Sequence, residues 1–271
     1  MPDGWVETIV ADNPGPLTLD GSRAYVLGPE PCLVIDPGPA LGGHLDALEV
    51  ALGTAAVTAI CITHYHPDHA AGAAELRLRT GAALAATADS ATRAGLDRPE
   101  LELEDGSSIE FGGGRIEVLS APGHCPDHVC FHWRRRRALF AGDVILGEGT
   151  SMVAPPEGDM SAYIATLERL ARLDLDIIYP GHGPAIEDPG AKLAEYLSHR
   201  LQREAQVIAA LSHGAFTPAE IRARVYPDLD PRLHGAAEGS VRAHLEKLLR
   251  EGRVVGQDDR FALTEPRADD R

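Results

Sequence analysis

Four side chains that can bind a metal ion lie between His64 and His69, in the sequence HYHPDH. They directly follow the apolar run Ala59–Ile62, which predicts a strand, and histidines two positions apart at a strand end can face the same point. Pro67 suits the first turn of a helix, so Asp68 and His69 are predicted at a helix start. Because such a cluster can hold two catalytic cations, it predicts a metal-dependent hydrolase.

Three further candidate ligands each follow a glycine at the end of a predicted strand. They are His124 in Pro-Gly-His, Asp143 in Ala-Gly-Asp and His182 in Pro-Gly-His. Glycine permits the sharp turn that aims the next side chain across a strand end. Two cations need about six protein groups, because a catalytic zinc usually has three protein ligands and one open position. With the first motif, these residues are enough for two ions.

In this order the seven residues resemble the ligand pattern of the metallo-β-lactamase superfamily, which is HxHxDH followed by His, Asp and His. The resemblance implies that His64, His66 and His124 hold one ion, that Asp68, His69 and His182 hold a second, and that Asp143 bridges them. It implies zinc as the cofactor, two ions per chain, with manganese or iron as alternatives. It also implies an α/β fold, a four-layered αββα sandwich.

Further stretches of sequence point to one group within this superfamily. Gly142–Thr150, Ile177–Pro184 and Tyr196–Arg200 are similar to the beta-lactamase-like protein two group, whose animal member is a single-strand-selective endoribonuclease. The segment Asn13–Gly21 resembles that group's loop over the active site. Ser22–Ala24 departs from the group's usual Gly-Thr-Asn-Thr continuation.

Two domains are predicted, a catalytic domain over residues 1–190 and a smaller one over residues 191–271. Periodicity predicts strands at Ala24–Leu27, Cys32–Ile35 and Val57–Thr63, and a helix at His44–Leu52. Period-two alternation predicts more strands around Ile109, Val118 and Phe131.

The smaller domain is predicted to resemble a winged helix. A long helix is expected over Lys192–Leu211, and a second helix begins at Thr217, which is followed by proline and an acidic residue. A third helix is expected over Ser240–Glu251 and a β-hairpin over Gly252–Leu263.

Charge is distributed unevenly along the chain. The formal net charge is −16 at pH 7, yet residues 192–271 hold 13 basic and 13 acidic residues, so the acidic excess lies before residue 192. An acidic body repels RNA at long range. Five residues of the tail could form a local basic face or simply the polar side of a packed helix; they are Arg242, His244, Lys247, Arg250 and Arg253. No sequence-specific DNA binding is expected.

The start of the chain lacks the pattern of an export signal, and no stretch approaches about 18 uninterrupted apolar residues, so a cytoplasmic location and no membrane partner are expected. The four cysteines show no CxxC spacing and are expected to be reduced. Cys125 follows His124 and is either a small buried residue or a soft ligand or redox-sensitive site beside the metals.

Other residues carry open alternatives. Asp36 and the pair Asp127-His128 either orient ligand imidazoles or cap turns. Arg134–Arg137 is predicted at a hairpin tip, where it is either a solvated turn or a contact for a polyanion.

The leading hypothesis is a dinuclear-zinc hydrolase in which a hydroxide between the two ions attacks a phosphodiester of single-stranded RNA. Asp68 would orient the water or relay its proton. His199 would contact the substrate phosphate or protonate the leaving group; the alternative is a solvent-facing helix histidine. A glyoxalase-II-like hydrolase of a small-molecule thioester is the rival enzyme, and a metal-dependent nucleic-acid-binding or regulatory protein without turnover ranks third. The physiological substrate and the oligomeric state are not predicted.

Overall fold

The computed structural model describes residues 5–264. These residues group into two compact units. The first unit contains the chain up to Pro122, Asp127–Ser151 and Leu173–Lys192, and the second contains Gly123–Pro126, Met152–Arg172 and the chain from Leu193 on. The domain boundary at residues 190 and 191 stays a prediction.

The first unit contains two β-sheets and four helices. Its strands are β1 (Val6–Val10), β2 (Arg23–Leu27), β3 (Cys32–Ile35), β4 (Val57–Cys61), β5 (Ala83–Ala86), β6 (Leu101–Glu102), β7 (Ser108–Phe111), β8 (Gly114–Ser120), β9 (Val129–Trp133), β10 (Ala138–Gly142) and β11 (Ile177–Pro180). Its helices are α1 (Gly42–Leu52), α2 (Pro67–Ala70), α3 (Ala73–Thr80) and α4 (Ala88–Arg93).

One sheet has the strand order β1-β2-β3-β4-β5-β6 and the other has the order β11-β10-β9-β8-β7. In the first sheet β3, β4, β5 and β6 pair in parallel, and in the second β10 pairs in parallel with β11. A parallel pair needs a crossover connection, which α1 provides between β3 and β4 and α3 provides between β4 and β5. The carboxyl ends of parallel neighbours meet at one edge, and the segment His64–His69, Asp143 and His182 follow such ends.

Strands β2 and β3 of the first sheet are buried on both faces. Leu33 and Ile35 belong to the cluster between the two sheets, where they join Phe131 and Phe140 of the second sheet. Val34, the residue between them, belongs to a second cluster that contains side chains of α1 and α3. Complete burial of such a side chain stabilises the fold by about 1.5–3 kcal/mol. Because successive side chains of a strand enter the two clusters in turn, packing on both faces holds the strand in place.

The second unit contains four helices and a hairpin, which are α5 (Met160–Leu170), α6 (Pro189–Leu211, of which residues 189–192 belong to the first unit), α7 (Pro218–Val225), α8 (His234–Arg250), β12 (Val254–Gln257) and β13 (Arg260–Leu263). Its core contains Val207, Ile221, Leu245 and Leu248. Thr217 and Glu220 form a capping box at the start of α7, as the sequence predicts. No helix between residues 5 and 264 is long and apolar enough to cross a membrane.

One predicted helix begins well before its expected start, and one helix was not predicted. Helix α8 begins at His234 rather than at Ser240, because a 3₁₀ turn capped by Asp230 runs directly into it. Two glycines precede Ser240 and lower the helix propensity there, so the sequence pattern favours a later start. Helix α5 was not predicted at all, although Asp159 caps it by accepting bonds from two backbone N–H groups.

Candidate metal centre

The candidate ligands of the first unit converge at the carboxyl ends of its parallel strands. His64 to His69 follow β4, Asp143 follows β10 and His182 follows β11. Helix α2 begins at Pro67, as predicted, and places Asp68 and His69 in its single turn. Residues that are far apart in the chain therefore meet at one edge of the two sheets.

One group consists of Asp68, His69 and His182, whose ligand atoms all lie within 4.8 Å of one another. His182 Nε2 lies 3.1 Å from Asp68 Oδ2 and 3.4 Å from Asp143 Oδ1. His69 Nε2 lies 3.5 Å and 3.3 Å from the same two oxygens. Two imidazoles and two carboxylates thus face a common point.

A second group in the first unit consists of His64, His66 and Asp143, whose ligand atoms also lie within 4.8 Å of one another. His64 Nε2 and His66 Nδ1 are 2.9 Å apart. Asp143 is close to both groups, which suits the bridging position that the resemblance implies for it. These three side chains form a group that could hold an ion, and their assignment to the first ion stays a prediction.

His124 belongs to the second unit, and its place at the first ion stays a prediction. Its Nδ1 lies 2.8 Å from the carbonyl oxygen of Met152. Because a carbonyl can only accept, Nδ1 carries the ring proton of the neutral imidazole, and Nε2 carries the lone pair that a metal needs. This is the tautomer that a ligand histidine requires.

Asp36, which follows β3, controls the proton positions of two other histidines. Its Oδ2 lies 3.0 Å from His69 Nδ1 and 2.7 Å from Thr63 Oγ1, and its Oδ1 accepts the backbone N–H of Thr63 at 2.7 Å. Because the Thr63 hydroxyl gives its only proton to Asp36, its oxygen accepts from His64 Nδ1 at 3.0 Å. In the neutral form of each ring Nε2 then carries no proton, which supports the orienting role over simple turn capping.

The pair Asp127-His128 supports the site through the backbone. Asp127 accepts the backbone N–H of Tyr65 at 3.0 Å, between two candidate ligands. His128 Nε2 accepts the backbone N–H of Asp143 at 3.1 Å, and its ring stacks on that of His64 with centroids 4.7 Å apart. The two hydrogen bonds hold peptide segments that bear ligands, and the stacked ring of His128 contacts one ligand imidazole directly.

The charges of the site are strongly coupled. Burial raises the pKa of Asp68 and Asp143, but the neighbouring imidazoles outweigh it, first His69 and then His182, so the pKa of Asp68 falls to about 2 and that of Asp143 falls well below its ordinary value. Burial lowers the pKa of His182, yet Asp143 and Asp68 raise it to about 9. Protons on imidazole therefore compensate the carboxylates, and metal binding must release them.

The residues fit a metal ion. His69 Nε2 is buried and makes no hydrogen bond, although two carboxylates lie near it, so the atom has the surroundings of a ligand. Imidazole nitrogens combined with carboxylate oxygens suit zinc, and they also suit iron or manganese. The side chains alone do not select among these ions.

Two glycines make room for the site. A Cβ on Gly181 would lie 2.6 Å from His69 Cε1 and would also strike Asp143, so this glycine is required for space rather than for a turn. Gly142 has a φ of +47°, and a Cβ there would lie 2.7 Å from Thr63 Oγ1 and His128 Nε2. The glycines that precede Asp143 and His182 thus let two ligand-bearing strand ends approach each other.

Sequence reasoning missed one contact of the site. Ser22, which precedes β2, is completely buried, and its hydroxyl lies 3.2 Å from Asp68 Oδ2. Asn13 in turn contacts the Ser22 side chain. No local pattern marks this contact, because Ser22 and Asp68 are 46 positions apart.

The Arg134–Arg137 run lies at a hairpin tip between β9 and β10, as predicted. Arg134 pairs with Glu117, and Arg137 pairs with Asp174 and Asp176. The Arg136 guanidinium stacks 4.0 Å from the centre of the Trp5 ring. These partners favour the solvated turn over a polyanion contact.

The residues that the sequence suggests as a basic face of the tail also have partners or are buried. Arg242 contacts Asp259 and Glu238, and Arg250 contacts Asp159. Lys247 and Arg253 both contact Glu204, at 2.7 Å and 2.9 Å, and His244 is buried. Acidic partners therefore neutralise the local basic face that the sequence suggests.

His199 lies on α6 in the second unit. Its Nδ1 is buried and makes no hydrogen bond. Burial, together with Arg200 and Arg203, lowers the pKa of His199 to about 4, so the imidazole is neutral at pH 7. Cys125, in the same unit, is completely buried, as a small core residue would be.

Comparison with known proteins gives two family matches. Residues 17–182 match the Metallo-beta-lactamase superfamily, and residues 217–262 match the Beta-lactamase associated winged helix domain. A Beta-lactamase-like protein 2 homolog of Caenorhabditis elegans is 33% identical over an alignment of 271 positions that covers 92% of this chain and 85% of the relative.

Two further similar proteins differ in how much of their own length this chain covers. An atrochrysone carboxyl ACP thioesterase of Aspergillus chevalieri is 35% identical over 209 residues; the match covers 76% of this chain but only 65% of the thioesterase. The crystal structure of a Beta-lactamase domain protein from Burkholderia ambifaria superposes with a TM-score of 0.85 and 20% identity, covering 97% of this chain and 92% of the other. At that identity the likeness shows the fold alone.

Proposed function

This chain belongs to the metallo-beta-lactamase superfamily and is a hydrolase of that family, and from this premise we propose that it works with two zinc ions. The observation that carries the proposal is the position of Asp143, whose carboxylate lies beside both groups of candidate ligands. One carboxylate shared by two ligand groups is the arrangement that a dinuclear site needs.

A pair of bound cations would supply a nucleophile at neutral pH and stabilise negative charge on the substrate. The protein's own residues prepare this chemistry. Asp36 sets the tautomers of His64 and His69, so that both present Nε2. The side chain of Asp68 is 27% exposed, against 13% for Asp143 and 1% or less for His69 and His182, so Asp68 is the carboxylate that water and substrate reach. It is therefore the group we assign to orient the water and accept its proton.

We favour a thioester as the bond that is hydrolysed. The name of the Aspergillus chevalieri relative, an atrochrysone carboxyl ACP thioesterase, supports this choice. A thiol leaves without strong acid help, since its pKa is about 8.5. That suits a site whose candidate general acid, His199, has its pKa lowered to about 4.

A phosphodiester of single-stranded RNA is the second candidate. The similarity to the Caenorhabditis elegans relative covers most of both chains, and winged-helix domains often bind nucleic acid. Two observations count against it: the net charge is −16, and acidic partners neutralise Arg242, Lys247, Arg250 and Arg253 in the tail. An alkoxide leaving group would also call for a general acid.

The test uses zinc-loaded protein with two substrates, an acyl thioester of pantetheine and end-labelled unstructured RNA. The Asp68→Ala variant removes the proposed base, and Asp89→Ala, on the exposed face of α4, is the matched control. We expect the wild type and the control to release thiol, and Asp68→Ala to lose at least about a hundredfold in rate. Cleavage of RNA alone would select the second candidate, and absence of turnover on both would remove both substrate assignments.

A further inference from the structure

Ser22 is held on every side by hydrogen bonds. Its backbone N–H donates to Asn13 Oδ1 at 2.9 Å, and its carbonyl accepts the N–H of Ala11 at 2.9 Å. It forms an isolated β-bridge with His182, next to the bond from Arg23 N–H to the Gly181 carbonyl. The backbone of Ser22 is thus tied to the segment that bears one candidate ligand, and its side chain points at another.

The direction of each proton around Ser22 follows from the donors available. A backbone N–H can only donate, so the Asn13 atom that faces it must be the amide oxygen. The Asn13 atom 2.9 Å from Ser22 Oγ is then the amide nitrogen, which can only donate. Ser22 Oγ accepts from Asn13, and its single proton is left for Asp68 Oδ2 at 3.2 Å.

Asp68 Oδ2 is also the oxygen that faces the imidazoles. It lies 3.1 Å from His182 Nε2 and 3.5 Å from His69 Nε2. The hydroxyl of Ser22 therefore fixes which oxygen of Asp68 the site uses and how its plane is turned. Without that donor the carboxylate could rotate about its side-chain bonds, because it is the most exposed member of its group.

We infer that Ser22 is a positioning residue for the second ion. Its hydroxyl holds Asp68 Oδ2 toward His69 and His182. Asn13 fixes the hydroxyl in turn. The inference rests on the proposed dinuclear site. Hydrogen-bond partners that orient a metal ligand typically contribute about 10–100-fold to metal affinity.

The test measures zinc binding directly, by competition with a chromophoric chelator. We expect wild-type protein to bind two ions. Ser22→Ala should bind the second ion about tenfold more weakly and the first ion unchanged. Ser22→Thr keeps the hydroxyl and should bind the second ion within about twofold of the wild type. The control Ser107→Ala removes a hydroxyl that only closes a turn with Glu104, and it should bind both ions as the wild type does.

Asn13→Ala provides a second route if Ser22→Ala folds poorly. It leaves the hydroxyl in place but removes the donor that orients it, so we expect a smaller loss, about threefold, at the second ion only. Unchanged binding in Ser22→Ala, or failure of Ser22→Thr to restore it, would overturn the inference while leaving the dinuclear site intact. A wild type that does not bind two ions would instead overturn the dinuclear proposal, and this inference with it.

Discussion

Asp36 Oδ2 lies 3.0 Å from Nδ1 of His69, at the ring nitrogen opposite the one that faces Asp143. The same oxygen accepts the hydroxyl proton of Thr63. One carboxylate that binds no ion in our assignment therefore decides which nitrogens of two histidines are available to a metal.

We expect Asp36→Asn to lower zinc affinity by about 10–100-fold. The amide oxygen would take the backbone N–H of Thr63, so the amide nitrogen would donate to His69 Nδ1 and force the proton onto Nε2. Zinc per chain after dialysis against a chelator measures the effect. Asp89→Asn, whose carboxylate pairs with Arg93 on the surface, is the control. Equal zinc contents in the two variants would reduce Asp36 to a turn residue.

A methyl group on Gly181 should damage the site although no ligand residue is replaced. Its Cβ would enter the space of His69 and Asp143, so we expect Gly181→Ala to lose zinc and to destabilise the fold by about 1–3 kcal/mol. Gly43→Ala is the matched control, because Gly43 lies in α1 with open space around it. Zinc analysis and chemical denaturation separate the two variants, and normal zinc binding by Gly181→Ala would contradict the close packing described above.

His199 is proposed as a residue that contacts the substrate. We expect His199→Ala to keep its zinc and to lose about tenfold in kcat/KM, the value of one hydrogen bond made in the transition state. Since its pKa is about 4, the loss should be the same from pH 6 to pH 8. His213→Ala, which removes an exposed histidine beyond α6, is the control. Equal turnover of the two variants would remove His199 from the active site.

Glu204 should make the stability of the second unit depend on pH in the acidic range. Its neighbours His244 and Lys247 lower its pKa from 4.5 to about 2, against the effect of burial. A lowered carboxyl pKa stabilises the folded state above the unfolded pKa, and that stabilisation is lost as the pH falls from about 4.5 toward 2.

Glu204→Gln should therefore cost about 2–3 kcal/mol in the free energy of unfolding at pH 7, and the difference from wild type should shrink below pH 4.5. Denaturant titrations at a series of pH values measure this. Glu246→Gln, at an exposed position of α8, is the control and should stay within about 0.5 kcal/mol of the wild type. A Glu204→Gln difference that does not change with pH would show that packing, rather than charge, is responsible.

The fold class and the family could be predicted from sequence because their signals are local. The HxHxDH motif, the glycines before Asp143 and His182, and the cap at Thr217 each lie within a few residues, and the family matches confirm the metallo-β-lactamase fold and the winged-helix domain.

What could not be predicted depends on contacts between distant segments. The bond from Ser22 to Asp68 spans 46 positions, and the ion pair of Arg250 with Asp159 spans 91. The sequence around Arg250 shows a basic residue on a helix but not the carboxylate that neutralises it. The acidic partners of the basic residues in the tail therefore favour the thioester over RNA as the substrate, and composition alone does not reveal those partners.

The spacing of the candidate ligands along the chain has a consequence for folding. All four cysteines are free thiols, so no covalent cross-link joins distant parts of the chain. Ions held jointly by His64, Asp143 and His182 would act as such a cross-link, closing loops of many tens of residues and favouring the native state by mass action. Folding yield and zinc supply would then be linked quantities, and protein made under zinc limitation would lose stability together with activity.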